Sequence, residues 1–255
     1  MPRLLGEKAL ITGSTAGIGK EIAMSFAREG AAVVVTGRDA ERGNAVVRSI
    51  TAAGGRATFI AADLLSEEAC TGLVDHSAEA LDGLTILVNN AAGGGPDAAA
   101  ADLGTDAWEA TLRIDLTAPF WCIRAAIPHM RRVGRGAIVN ISTRQARRAS
   151  PGFAAYIAAK GGLEALTRSV AVDYASEHIR CNTISPGYVL NERRDADITP
   201  ERRAKYESMH LTRLGTAADV AHAAVYLASA ESEFLTGTNI ELDGGSSNAR
   251  GLTLG

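Results

Sequence analysis

The stretch "ALITGSTAGIGKEIAMSFAREG", residues 9–30, carries three signals in succession. Residues 9–12 form a short apolar run that reads as a buried strand, Gly13, Gly17 and Gly19 follow at once, and a segment of helical period opens behind them. Strand, glycine loop and helix in that order suit a dinucleotide. One glycine permits the tight turn, the others let backbone and helix approach closely, and the helix N-terminus turns unpaired N–H groups toward a pyrophosphate. Three glycines alone are a weak signal; their place between strand and helix strengthens it.

Outward from this unit the same alternation repeats. Short β-branched runs lie at 32–37, 57–61, 85–90, 137–142, 180–185 and 239–245, separated by helical segments at 41–55, 67–81, 106–132, 155–177 and 217–229. Strands alternating with helices predict a seven-stranded parallel sheet with helices on both faces, a doubly wound α/β fold. The nearly unbroken apolar character of several strands agrees with burial on both faces. The segment 106–132 reads as one long helix and the Ala-rich stretch 93–102 as the loop that opens it. Residues 187–212 are polar, Arg-rich and long for a connection, which suggests a segment covering a substrate. No linker composition marks a boundary, so the 255 residues read as one domain, with a dinucleotide-binding half of roughly 1–140 and a catalytic half of roughly 141–255.

Composition excludes several functions. A net charge of −3 gives no general attraction to nucleic acid or anionic lipid. No segment approaches the ~20 apolar residues of a membrane span, and a cytoplasmic protein is expected. Cys70, Cys122 and Cys181 lack metal or disulfide spacing and read as buried thiols. His76, His129, His178, His210 and His222 lack metal-ligand spacing too, and read as surface or helix-end residues, with no metal site expected.

The chemistry is carried by "YIAAK" at 156–160. An i, i+4 pair shares one helix face, so Tyr156 and Lys160 can act on one small object. A phenol titrates near ~10, too high for proton transfer at neutrality, and an ammonium held beside it favours the phenolate. After the second strand, where an acid would accept the 2′-hydroxyl of NAD, the chain has Gly37 and Arg38. Arg38 suits the 2′-phosphate of NADP, with NAD the second choice; otherwise Arg38 is a solvated turn residue beside Asp39 as helix cap.

The glycine spacing is Gly-x-x-x-Gly-x-Gly. With Tyr-x-x-x-Lys, "NNA" at 89–91, "SPG" at 185–187 and "LDGG" at 242–245 in the same order, the chain resembles the short-chain dehydrogenase/reductase family over essentially its whole length. In size and layout it is similar to the 3-oxoacyl-[acyl-carrier-protein] reductase branch. The resemblance implies a Rossmann fold and hydride transfer between a nicotinamide cofactor and a small-molecule carbonyl or secondary alcohol. It casts Tyr156 as general acid/base, with Lys160 lowering its proton affinity and holding the nicotinamide ribose. The family's third member, a serine hydroxyl thirteen residues before the tyrosine, falls on Thr143, with Ser142 one position short. Side chains alternate in direction at a strand end, so one of the two faces the substrate.

Asp115, in "DLTAPF", stands where the family commonly carries an asparagine that holds a water in a proton relay. For the cofactor, the resemblance implies Gly13, Ser14, Thr15, Gly17, Ile18 and Gly19 at the phosphates, and Asp63 and Leu64 at the adenine. It puts Asn90, Ala91 and Ala92 along the groove, with Ala92 replacing a glycine, and Pro186, Gly187, Val189 and Asn191 at the nicotinamide, with Asn191 replacing a threonine. As a residue reading, Asp63 is also a candidate helix cap.

Arg144, Arg147 and Arg148 lie between Thr143 and Tyr156, and Arg193 and Arg194 in the covering segment. Guanidinium groups suit an acidic substrate or a phosphorylated acyl thioester; the other reading is a solvated face. Trp108, Phe120 and Trp121 read as core or subunit contact, and the resemblance implies a homodimer or homotetramer. A cofactor-binding sensor with the same fold and little turnover is the alternative function.

Overall fold

The computed structural model describes residues 1–93, 95–191, 195–196 and 198–248. Seven parallel strands, β1 Lys8–Ile11, β2 Ala32–Gly37, β3 Arg56–Ala61, β4 Ile86–Asn89, β5 Gly136–Ile141, β6 Ile179–Pro186 and β7 Asn239–Leu242, form one sheet in the order β3-β2-β1-β4-β5-β6-β7. Leu10 pairs with Val34 on one side and Leu87 on the other. The strand order reverses between β1 and β4, and in doubly wound sheets a ligand crevice opens at the carboxyl ends of the strands flanking such a switch.

The helices are α1 Gly17–Arg28, α2 Ala40–Ala52, α3 Glu67–Ala80, α4 Thr105–Leu112, α5 Ala118–Val133, α6 Ala154–Tyr174, α7 Pro200–Glu207 and α8 Ala217–Ala228. They cover both faces, which is why β4 and β5 are buried along their whole length whereas the edge strand β3 is only half buried. On one face Ile22 and Phe26 of α1 meet Val220 and Val225 of α8 over Val33 and Val88. On the other, Val74 of α3 and Ile123 and Met130 of α5 close over Leu10, Leu87 and Ile138. Each of these large side chains contributes ~1.5–3 kcal/mol by leaving water.

Two expectations need correction. The segment read as one helix breaks at a π-helical turn, Arg113–Thr117, between α4 and α5. Its wider winding draws the middle residue, Asp115, wholly inside. The long connection 187–212 contains α7, capped by Thr199, whose side chain accepts from the Arg202 N–H at 3.3 Å. A parallel bridge of Val189 with Gly215 straps the start of this connection to the segment before α8. Arg193 and Arg194 lie outside the described residues. Among the described residues no helix is long and apolar enough to cross a membrane, and no cluster of side chains has metal-binding geometry. All three cysteines are buried thiols, and burial pushes Cys181 up to about 12.

Candidate active site

At the carboxyl end of β1 the chain turns through Gly13 and Gly17, both with positive φ. A methyl group on Gly13 would stand 2.9 Å from the Cα of Ala91, and one on Gly19 would collide with the Asn90 side chain. The glycines therefore press the loop after β4 against the start of α1. Thr12 completes the junction by accepting the Asn90 and Ala91 N–H groups at 2.9 and 3.0 Å. Over it opens a cleft of about 1040 Å³, lined by Gly13, Thr15, Gly17, Ile18, Gly19, Arg38, Asp63, Leu64, Asn90, Ala91, Ala92 and Asn191. The N–H groups at the start of α1, the cradle that side chains would fill and the cationic end near Arg38 fit a dinucleotide.

One residue expected there is elsewhere. Ser14 is fully buried; its hydroxyl donates to Ile11 O at 2.7 Å and accepts from Thr36 N at 2.9 Å, tying the loop to β2. Asp63 does not cap α3, which is capped by Ser66. Asp39 does cap α2, accepting the Arg42 N–H at 3.0 Å and its Nε at 2.6 Å. Its carboxylate is thereby committed to the helix, while Arg38 and Arg42 both line the cleft.

The cleft runs into a second cavity of about 840 Å³, and Ile18, Asn90, Ala92, Gly93, Gly95 and Asn191 border both. Thr143, Tyr156, Lys160, Asp115, Pro186, Gly187 and Val189 meet around this chamber. Lys160 is 2% exposed; its ammonium donates to Ile141 O at 3.0 Å, lies 3.3 Å from Asp115 Oδ1 and sits 5.9 Å from the centroid of the Tyr156 ring. Burial raises the proton affinity of Asp115, and the attraction of Lys160 opposes that rise. The backbone N–H of Gly93 adds a further favourable contact to the carboxylate.

Thr143 and Ser142 separate cleanly. Ser142 turns its hydroxyl to the buried carboxylate of Glu164, donating at 3.2 Å. Glu164 also accepts from Ser185 at 2.9 Å and from Arg147 Nε at 2.9 Å, and Arg147 reaches on to Glu241 at 3.1 Å. Both residues border the chamber, and the Thr143 oxygen accepts the Gln145 N–H at 3.3 Å, which leaves its O–H as the available donor. Arg147, read from the sequence as either a substrate contact or part of a solvated face, is instead a structural clasp between α6 and β7.

Similarity to known proteins identifies the family. A family model described as enoyl-(acyl carrier protein) reductase matches residues 13–247. The 7alpha-hydroxysteroid dehydrogenase of Clostridium sardiniense is 36% identical over 250 residues, covering 96% of this chain and 95% of that protein. A 7alpha-hydroxysteroid dehydrogenase solved with NADH and 7-oxo glycochenodeoxycholic acid superposes with a TM-score of 0.90 at 35% identity over 95% of each chain. A Burkholderia xenovorans structure assigned to the short-chain dehydrogenases/reductases gives a TM-score of 0.91 at 34% identity, covering 98% of this chain and all of the other. The chain is a short-chain dehydrogenase/reductase. As such it is an NAD(P)-dependent oxidoreductase acting on a small carbonyl or alcohol.

Three further residues of this dehydrogenase/reductase shape the chamber without a sequence signal that names them. Helix α6 lacks a side-chain cap of its own, since Phe153 stands at its start. Asp97, far back in the loop after β4, supplies one, accepting the N–H of Tyr156 at 2.8 Å and of Ala155 at 3.2 Å. Glu164 is the second. The third, His210, is buried rather than superficial: its Nε2 accepts the Tyr188 N–H at 3.2 Å, which leaves Nδ1 to donate to Tyr206 O at 2.8 Å. The imidazole holds Tyr188 beside Tyr206, whose rings stack with centroids 4.0 Å apart.

Proposed function

We propose that the protein interconverts a small-molecule ketone and the corresponding secondary alcohol, with NADP(H) as its preferred dinucleotide and Tyr156 as general acid/base. The observation that carries this reading is the buried Lys160 ammonium beside the Tyr156 ring, fixed by Ile141 and Asp115 in the second cavity, which the nucleotide cleft adjoins. The cleft residues from the glycine loop to Asp63 would hold the dinucleotide, and Lys160 and Asn191 its nicotinamide end. When bound, the nicotinamide supplies or takes up the hydride.

In the reducing direction Tyr156 gives its phenolic proton to the carbonyl oxygen, while the Thr143 hydroxyl donates a hydrogen bond to the same oxygen. In oxidation Tyr156 accepts the alcohol proton. Lys160 makes both possible, because a fixed cation lowers the cost of the phenolate. Asp115 keeps that cation in place and offers acceptors to a proton-relaying water. Since every member of this set lies at one chamber, the alternative of a sensor without turnover has no observation in its favour.

NADP is favoured by charge. Arg38 makes no hydrogen bond or ion pair among the described residues, Arg42 stands beside it, Gly37 ends β2 without an acid, and Asp39 is occupied as a cap. The test is a fluorescence titration with NADPH and NADH, followed by a spectrophotometric screen of oxo-acyl thioesters, keto-steroids and small ketones. NADPH should bind more tightly, and Tyr156→Phe should lose about 10²–10⁴-fold in kcat while still binding it. Wild-type rates in Tyr156→Phe would refute the role given to that residue.

A further inference from the structure

The charges around the chamber are unequal. Two acids line it, and both are committed: Asp97 to the N-terminus of α6 and Asp115 to Lys160. The remaining charged residues lining it among those described are Arg144, Arg202 and Lys205, all cationic. Arg202 donates to the Tyr206 hydroxyl at 3.1 Å and feels the charge of Asp195, itself bonded to the Tyr188 hydroxyl, at longer range. Arg144 and Lys205 have no side-chain partner among the described residues. Of the three arginines that follow Thr143, Arg147 is held by two glutamates and Arg148 is exposed outside the chamber, so Arg144 alone faces it.

Arg144 is also half-buried, unlike the exposed rim residues of α7, and is the residue next to Thr143. A half-buried guanidinium without a partner gains most from a planar anion, to which it can donate two parallel hydrogen bonds. Between it and the far rim the wall is apolar and aromatic: Phe153, Val189, Leu190, Met209 and the stacked Tyr188 and Tyr206. Given carbonyl chemistry at Tyr156, we infer that the natural substrate is an amphiphilic keto or hydroxy acid, whose apolar body fills this wall and whose carboxylate is received by Arg144, with Lys205 and Arg202 adding long-range attraction.

The experiment measures NADPH oxidation with two keto acids of different size, 4-oxocyclohexanecarboxylate and a 7-oxo-cholanoate, each against its methyl ester, in wild type, Arg144→Gln and Arg144→Lys. For at least one pair the wild-type protein should prefer the acid by about tenfold in kcat/KM, carried by KM, as expected for one charge-assisted hydrogen-bonded contact. Arg144→Gln should abolish that preference and leave the ester's kinetics unchanged, Arg144→Lys should restore part of it, and added salt should raise KM for the acid alone. Equal use of acid and ester by the wild type, or an equal loss for both in Arg144→Gln, overturns the inference while leaving the oxidoreductase chemistry standing. No turnover of either acid by the wild type, with another ketone of the screen turned over, likewise overturns the inference alone.

Discussion

The hydroxyls of Ser142 and Thr143 are neighbours in sequence with opposite duties, and substitution should separate them. Thr143→Ala removes the hydroxyl proposed to bond the carbonyl oxygen and should lower kcat by about 10²-fold with little change in nucleotide binding. Ser142→Ala takes a donor from the buried Glu164 carboxylate and should cost ~1–3 kcal/mol in denaturant unfolding with turnover preserved. The reverse pattern would exchange their roles. Spacing from Tyr156 pointed to Thr143, but spacing cannot tell which way a strand's last side chains face. That is decided by Glu164, a helix residue that nothing local marks as a partner of β5. Ser14 was misread for a similar reason: a serine in a glycine loop looks like a phosphate ligand until β2 is seen to take its hydroxyl.

Helix α6 takes its cap from Asp97, so Asp97→Ala should cost ~1 kcal/mol of stability. It should also loosen Tyr156, lowering kcat by more than it raises KM; unchanged steady-state kinetics would show that the cap does not position the tyrosine. At α8 the cap is local, a capping box of Thr216 and Asp219 reinforced by Arg213, whose guanidinium holds the Asp219 carboxyl well below the usual range. A depressed native pKa contributes stability above the ordinary aspartate value of ~4, and that contribution is lost as pH falls through and below it. Thermal midpoints should therefore fall between pH 5 and pH 3 by more in the wild type than in Asp219→Asn, which has already lost the contribution. The Thr216 box is visible in the sequence; the Asp97 cap is not, because it joins residues far apart. Helix α7 escaped for another reason: it buries no residue, so no apolar period announces it. The π-helical turn is hidden too: Pro119 marks the start of α5, but only packing selects the wider winding around Asp115.

Across the whole molecule the seven strands were legible because both faces of a parallel sheet must be apolar; their ends shift by a single residue, except that the last strand stops at Leu242, short of the 245 expected. The chamber was less so, because it is assembled from loops that the sheet brings together. A nucleotide that binds only the native state adds ~2.7 kcal/mol of stability at a hundred times its Kd. NADPH should thus raise the melting temperature further than NADH at equal concentration, and Arg38→Ala should close that gap. Phe120, Val172 and Phe234 lie exposed on the surface, and light scattering should find the homodimer or homotetramer expected of this family rather than a monomer. Finally, Ile18, Asn90, Ala92 and Asn191 belong to the nucleotide cleft and the substrate chamber at once. A nucleotide laid across them becomes the floor on which the second ligand rests, so the ligands should arrive in a fixed sequence. Calorimetry should find the keto acid binding to the nucleotide-loaded protein and passing over the bare one.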